Sequence, residues 1–223
     1  MNRFSLTLLA GVAVLSVVSG AQAADLLVNS PAPNYGGGYS SPAGGWDGAY
    51  IGGFLGYGWG TVLDDDGGFL LDDDKLAADG FLVGATLGAN FTVAPGFVLG
   101  AAGDVAWSNM SGYEPAPTDL DVDVNWTGSL RGRAGFDGGM FMPYLTAGVA
   151  VAGVTANEAG NESGQMHFGW TAGGGVEVAA TENLSVDLQY RYSDYGSATY
   201  ELVTDTDLSL TTHALTAGVN FKF

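Results

Sequence analysis

Apolar side chains recur at every second position along most of this 223-residue chain. The clearest example runs from Phe81 to Phe91, where Thr86, Gly88 and Asn90 fall between apolar positions. A period of two places alternate side chains on opposite faces of a β-strand, whereas an amphipathic helix has a period near 3.6. The chain is therefore predicted to be all-β, with strands that have one apolar face and one different face.

The alternating pattern occurs in eight segments after residue 46. They are 49–62, 81–91, 97–107, 126–136, 141–154, 167–179, 184–192 and 210–223. These segments run to about 10 to 14 residues, whereas strands in globular proteins usually have about 5 or 6. A strand that crosses a membrane needs about 9 to 11 residues. The lengths therefore favour membrane-spanning strands over a soluble β-sandwich.

Aromatic residues mark both ends of three segments. Three pairs lie ten positions apart on the apolar face: Phe81 and Phe91, Phe97 and Trp107, Trp126 and Phe136. Ten residues that rise about 3.3 Å each, at a tilt near 45°, span roughly 23 Å, close to the ~25 Å apolar band of a membrane barrel. The pattern predicts two aromatic girdles, which contain Tyr57, Trp59, Phe81, Phe91, Phe97, Trp107, Trp126, Phe136, Tyr190, Tyr192, Phe221 and Phe223.

The connections between the segments alternate between long and short. The long ones cover 63–79, 109–123, 155–165 and 196–209, and the short ones cover 93–96, 137–140 and 181–183. Outer-membrane barrels have this asymmetry, with short periplasmic turns and long outer loops. Only helices and closed barrels satisfy every backbone polar group in lipid. We therefore predict an eight-stranded antiparallel up-and-down transmembrane β-barrel with both of its ends in the periplasm.

The first 45 residues differ in composition from the rest. Residues 1–23 combine the basic Arg3, an apolar stretch and the small-residue site Ala21-Gln22-Ala23, which is typical of a cleaved secretory signal peptide. A retained membrane anchor is the alternative, although the apolar stretch is shorter than the ~20 residues that a spanning helix needs. Residues 24–45 are rich in Pro, Gly and Ser and predict a flexible linker, which leaves 46–223 for the barrel.

The charge balance excludes several functions. The chain has 24 Asp and Glu against 6 Lys and Arg, a net charge of −18, so nucleic acid is not a predicted partner. It has no Cys, which excludes disulfide scaffolds and Cys-ligated metal sites. Seven Asp residues crowd the first long connection, but their spacing does not match a calcium-binding loop. No metal site is predicted; a solvated, self-repelling loop and weak bridging to lipid phosphates by Mg²⁺ or Ca²⁺ are the two interpretations.

The chain resembles small outer-membrane β-barrel proteins of alphaproteobacteria, often labelled porin family or outer-membrane β-barrel domain. Three stretches carry the resemblance: WDGAYIGGFLGYGWG, LQYRYSDYG and HALTAGVNFKF. It covers roughly 46–223 and implies a place in the outer membrane among lipid and lipopolysaccharide, after export with periplasmic chaperones. Thr216, Gly218, Phe221 and Phe223 match the signal that the barrel-assembly machinery reads. The acidic first connection departs from the family.

The non-lipid face of the predicted strands carries seven charged residues: Asp104, Arg131, Arg133, Glu177, Asp187, Arg191 and Lys222. The interior of an eight-stranded barrel is just wide enough for side chains to fill it. Because acidic and basic groups are nearly balanced on this face, we predict an ion-paired network that plugs the lumen. The alternative is that the arginines line a narrow path and set an anion preference, as charged rings do in wider pores.

The two histidines are the candidates for chemistry at the barrel rim. His167 is predicted to face inward at the outer start of its strand, and His213 to face lipid headgroups. No local Ser, His and carboxylate motif accompanies them, so neither catalysis nor a cofactor is predicted. A structural or surface-interaction role is the main expectation, and a narrow channel is the second. A rim enzyme, and haem capture by the histidines or by Tyr113 and Tyr200, are further alternatives, the latter by analogy only.

Overall fold

Eight β-strands pair in chain order and close into a barrel in the computed structural model. The structure describes residues 45–64, 75–114, 120–158, 161–200 and 206–223. The strands are β1 (Gly48–Asp64), β2 (Lys75–Ala94), β3 (Phe97–Glu114), β4 (Leu120–Phe136), β5 (Phe141–Glu158), β6 (Asn161–Ala179), β7 (Leu184–Tyr200) and β8 (Thr206–Lys222). Each strand is antiparallel to both neighbours, and β1 pairs with β8. The prediction of an eight-stranded antiparallel barrel is confirmed.

Several predicted features lie outside the described residues. They are the signal peptide 1–23, the linker up to residue 44, the acidic stretch 65–74 of the first connection and the side chain of Tyr200. Within the described ranges, no helix is long and apolar enough to cross a membrane.

The two ends of the barrel differ in how the strands are joined. The short connections 95–96, 137–140 and 180–183 lie together at one end, called the turn end, and the opposite end is called the loop end. Gly96 has φ +79° and Gly139 has φ +83°, a backbone conformation that a Cβ atom disfavours. Glycine is therefore required in these two turns. The predicted short connections are confirmed, and Gly45 and Phe223 also lie at the turn end.

The four predicted long connections are wrong in extent, because strands include most residues of the last three and residues 63–64 and 75–79 of the first. The β1–β2 ladder continues to the pair Leu63 and Lys75, and the β3–β4 ladder continues to the pair Glu114 and Leu120. The barrel wall is therefore taller at the loop end than the sequence pattern predicts. The structure assigns all of 75–79 and 120–123 to strands.

The apolar face of the wall changes sides toward the loop end. In the part of β2 nearer the turn end, Phe81 and Val83 point outward. Nearer the loop end, Leu76 and Ala78 are buried inside and Lys75 is exposed outside. The alternation continues with the same period, but the chemistry of the two faces is exchanged. A prediction that takes the apolar face as the lipid face therefore makes each strand too short at the loop end.

Irregular pairing coincides with this exchange of faces. Two of the register shifts among the described strands occur at this level, in β3 between Trp107 and Met110 and in β4 between Val124 and Trp126. In both strands an outward aromatic residue stands on one side of the shift and a buried apolar residue on the other. An extra residue in one strand bends it and increases its twist, which redirects side chains.

The residues of the predicted aromatic girdles all lie on the outer face of the barrel. Ten of the twelve are exposed large side chains. Trp126 and Tyr192 are half-buried. The Trp126 indole lies over Gly153, and the Tyr192 ring packs against Trp170 at 5.4 Å. Between the two aromatic levels the outer face exposes aliphatic residues such as Leu145 and Leu130.

We expect Gly148→Ala to destabilise the barrel, whereas Gly132→Ala does not. A Cβ at Gly148 would lie 2.0 Å from the carbonyl oxygen of Leu130, but one at Gly132 would lie 3.8 Å from its nearest neighbour, the Ala147 carbonyl oxygen. Forcing an atom into a packed wall costs roughly 1 to 3 kcal/mol. The measurement is the temperature at which the compact gel form of the refolded barrel converts to the unfolded form. Equal conversion temperatures for the two variants would contradict the expectation.

Candidate functional site

Charged side chains lie in the middle layer of the barrel interior. Asp104 on β3 has a side chain that is 1% exposed and lies between two arginines. Its Oδ2 accepts from Arg131 Nη2 on β4 at 2.6 Å, and its Oδ1 accepts from Arg191 Nη1 on β7 at 3.0 Å. Ser129 also donates to Asp104 Oδ2, at 2.5 Å. Asp104 therefore joins two strands from different parts of the wall across the lumen.

Arg133 forms a second cluster one step closer to the turn end. Its Nη2 donates to Glu177 Oε2 on β6 at 2.5 Å and lies 3.6 Å from Asp187 Oδ2 on β7. The guanidinium carbon stands 3.6 Å from the centre of the Tyr144 ring, a cation–π contact. Glu177 Oε1 also accepts from Asn220 Nδ2 at 3.0 Å. These contacts pair the buried Glu177 carboxylate with the buried Arg133 guanidinium through Nη2, whereas Arg133 Nε has no hydrogen-bond partner among the described residues.

Gln189 and Tyr144 connect the two clusters. Arg131 Nη1 donates to Gln189 Oε1 at 2.8 Å, and Gln189 Nε2 donates to the Tyr144 hydroxyl at 2.8 Å. That hydroxyl donates to Asp187 Oδ2 at 2.7 Å. One continuous network therefore crosses the lumen from Asp104 to Asp187. Tyr144 is absent from the predicted network, although it lies two residues before the inward-facing Thr146 in β5 and therefore shares its face.

The structure brings six of the seven predicted network residues into these contacts and places Lys222 at the barrel mouth. The Lys222 ammonium donates to the carbonyl oxygen of Gly45 at the turn end. Its side chain lines the same space as Glu177 and Ser185. Lys222 therefore lies at the boundary between the network and solvent.

Trp46 covers the interior at the turn end. It is 7% exposed and packs with Val98, Met142 and Ala179. Its indole Nε1 donates to Asp137 Oδ1 at 3.1 Å, in the β4–β5 turn. The residue that precedes β1 is thus held across the barrel mouth to a turn on another part of the wall.

An apolar layer fills the interior at the loop end, on the other side of the charged network. This outer core consists of Val62, Leu76, Leu82, Met110, Val122, Val124, Ala150, Ala152, Val154, Ala156, Tyr195, Leu208, Leu210 and Ala214. Val124 and Ala152 are 0% exposed and Met110 is 2% exposed. This layer is not among the predictions from the sequence, which place several of its residues, such as Leu76, Met110 and Val122, in connections between strands. The signal that could have found it is the inward parity of Leu76 within β2.

The outer wall around this core is acidic. Asp121 and Asp123 are exposed on β4, and Asp79 on β2 accepts a hydrogen bond from the Tyr57 hydroxyl. Partial burial raises the pKa of the Asp123 carboxyl above its usual value, and the nearby Asp121 raises it further. Like charges on one strand face therefore oppose each other at the loop end.

The two histidines lie on opposite sides of the wall. His167 is 2% exposed inside the barrel, and its Nδ1 lies 3.3 Å from the Gly196 carbonyl oxygen. His213 lies outside, stacked on Trp59 at 5.7 Å, with its Nδ1 2.7 Å from the Tyr190 hydroxyl oxygen. Tyr113 is exposed at the loop end. The histidines therefore do not converge on one site.

The predicted assembly signal lies in β8 and in Phe223, which follows it, next to β1. Thr216 is buried inside, and Phe221 and Phe223 stack edge to face outside, with ring centres 5.5 Å apart. A Cβ at Gly218 would lie 3.0 Å from the Gly53 carbonyl oxygen of β1. The four residues therefore occupy the strand pair that closes the barrel, and their recognition by assembly machinery stays a prediction.

A closed barrel with an apolar outer belt and a filled interior defines a small outer-membrane β-barrel protein. The family model described as outer membrane protein beta-barrel domain matches residues 10–223. The 25 kDa outer-membrane immunogenic protein of Brucella abortus is 35% identical over 179 residues, which is 80% of this chain and 79% of that protein. The 22 kDa outer membrane protein of Rhizobium leguminosarum bv. viciae is 33% identical and covers 72% of this chain and 70% of its own length.

The crystal structure of Neisserial surface protein A has the same fold. It aligns with a TM-score of 0.52 and 20% identity, over 78% of this chain and 97% of that one. The chain belongs to the outer membrane protein beta-barrel domain family. Its location is the outer membrane, as the resemblance in its sequence implies.

We expect Arg131→Ala to lower the stability of the refolded barrel by about 3 to 5 kcal/mol, because it leaves the buried Asp104 carboxylate without one of its two cations. Lys75→Ala, which removes an exposed cation from the loop end, is the matched control and should leave stability nearly unchanged. Thermal conversion of the compact gel form gives the comparison. Unchanged stability in Arg131→Ala would show that the network is not needed to hold the barrel.

Proposed function

We propose that this protein is a sealed, non-enzymatic barrel with a structural and surface-interaction role in the outer membrane. The observation that carries the proposal is the filling of the interior by two layers of opposite chemistry. The charged network occupies the middle of the lumen, and the outer core fills it at the loop end. The turn end then faces the periplasm and the loop end faces outward.

The charged layer supports a structural role because its acidic and basic groups are paired with one another. Asp104, Glu177 and Asp187 offset Arg131, Arg133 and Arg191 within hydrogen-bond or ion-pair distance. Breaking such a pair by removing one partner is costly, since a charge is left unpaired in a medium of low dielectric constant. An arrangement that fixes every charge to another strand supports rigidity of the wall more than passage of ions.

The outer core supports closure toward the outside. Ions cross a hydrophobic constriction only when it is wide enough to hold water. Met110, Val122 and Leu210 are each 2% exposed or less and belong to the same apolar cluster inside the wall. This layer, rather than the arginines, is the barrier that a narrow channel would have to open.

The acidic wall at the loop end supports a surface role. Polar residues such as Asp121 and Asp123 point outward on strands that continue beyond the aromatic girdle. The Brucella abortus relative carries the word immunogenic in its name. A tall, charged rim is a surface that extracellular partners contact before they reach the bilayer. Lipopolysaccharide is the partner that lies nearest to this rim.

The arrangement of the histidines argues against a rim enzyme. A nucleophile and its base must lie within hydrogen-bond reach of each other. His167 is buried inside and held near a backbone carbonyl, whereas His213 packs among aromatic rings outside. The same separation argues against haem capture by the two histidines together.

The test is single-channel conductance of the refolded chain in a planar bilayer, after a gel has established that it is folded. We expect no openings from the wild-type barrel. We also expect none from Arg131→Ala, because the outer core remains in place. Reproducible openings whose anion preference changes in Arg131→Ala would contradict the proposal and favour the narrow channel.

A further inference from the structure

We infer that the sealed barrel contains a blind polar pocket that is open to the periplasm and binds water or small neutral solutes that both donate and accept hydrogen bonds. The inference rests on the proposed function, because it takes the loop end as closed. It adds a site that the plugged lumen alone does not imply.

Two spaces lie in line between the turn end and the outer core. The first, the mouth pocket, is lined by Trp46, Asn90 and Lys222 and by the exposed turn residues Glu182 and Asn183. Because those turn residues face solvent, no described residue closes the mouth pocket at the turn end. Glu177 and Ser185 form its inner side.

The second space, the lower cavity, lies within the charged network. Its lining includes Thr86, Ala102, Arg131, Arg133 and Thr146. Tyr50 lines both spaces and its hydroxyl lies 3.5 Å from Arg133 Nη1. Tyr50 is 5% exposed and therefore stands between the solvent-facing pocket and the inner cavity.

Two deeply buried polar atoms point to the chemistry of the occupant. Among the described residues, no group accepts a hydrogen bond from Arg133 Nε, and none donates to Asn90 Oδ1. Arg133 is 8% exposed and lines the lower cavity, whereas Asn90 is 3% exposed and lines the mouth pocket. A buried donor and a buried acceptor without partners are costly unless a bound molecule satisfies them. Water, or a compound with a hydroxyl or amide group, can both accept a hydrogen bond from Arg133 Nε and donate one to Asn90 Oδ1.

The charge of the lining favours a neutral occupant. The three arginines of the network are already paired with Asp104, Glu177 and Asp187. An added anion would compete with these carboxylates, and an added cation would compete with the arginines. A neutral hydrogen-bonding molecule meets the free donor and acceptor without breaking an ion pair.

The outer core makes the pocket blind. On β3, Ala102 lines the lower cavity, Asp104 follows, and Ala106 is 1% exposed on the far side. Beyond Ala106, Met110 belongs to the outer core. The boundary between the accessible and the sealed parts of the lumen therefore falls between two alanines of one strand.

The absence of native cysteine allows a direct test with single thiols. We expect Ala102→Cys to react with methyl methanethiosulfonate about tenfold or more faster than Ala106→Cys in the folded barrel, because thiol reactivity follows access. Both variants start from a buried, inward-facing alanine, and because Ala102 pairs with Arg131, which favours the thiolate, the two rates are compared at their high-pH plateaus. Equal rates for the two thiols, or protection of both until unfolding, would overturn the inference.

The entry route is tested by pairing Ala102→Cys with a second change. Tyr50→Ala, which widens the passage from the mouth pocket, should raise the reaction rate severalfold, whereas Met110→Ala, which loosens the outer core, should leave it unchanged. If Tyr50→Ala does not fold, Glu182→Trp at the mouth should slow the reaction, and Lys75→Trp at the loop end should not. A rate that responds to the loop-end changes alone would overturn the inference.

The two proposals fail in different ways. If the wild-type barrel conducts, the proposed sealed function fails whatever the thiol rates are. If the wild-type barrel is silent and Ala102→Cys is as protected as Ala106→Cys, the sealed function stands and the periplasmic pocket is overturned.

Discussion

A closed ring of eight strands leaves an interior that side chains must fill, and the rest of the structure depends on this constraint. The fill cannot be apolar throughout and also leave an apolar face for lipid on every strand. The chain instead places a charged network where the outer face contacts the bilayer, with Asp104 held between Arg131 and Arg191. It reserves an apolar fill for the level where the outer face becomes polar. Inside and outside are thus complementary in the middle of the wall and at the loop end.

The sequence predicts the membrane-spanning part of the barrel well, because a single pattern of alternation is enough there. Where the apolar side faces outward, a period of two with aromatic ends gives the strands, their faces and their turns. It also gives the charged positions of the lumen, since Arg131, Arg133 and Glu177 are the exceptions on the opposite face. What the period cannot give is which partner each charge selects across the barrel, because that depends on register and on the reach of side chains such as Gln189.

The part of the barrel at the loop end could not be predicted from the same pattern. There Leu76 and Val122 point inward, and acidic residues such as Asp121 point outward. A pattern of apolar and polar residues has the same period in both parts, so the direction of each face must come from tertiary context. The register shifts near Met110 and Val124 add a second obstacle, because an extra residue leaves no sign in composition.

The exchange of faces along the wall also separates the part of the barrel that inserts into the membrane from the part at the loop end. The bilayer-spanning part is fixed by its aromatic girdles and its ion pairs, whereas the rim is a small water-stable barrel with its own core. Segments that join strand ends already paired in water contribute little to membrane insertion. Changing their length is inexpensive, since each doubling of a flexible loop costs only about 0.6 kcal/mol. The embedded barrel therefore depends little on the length of these connections.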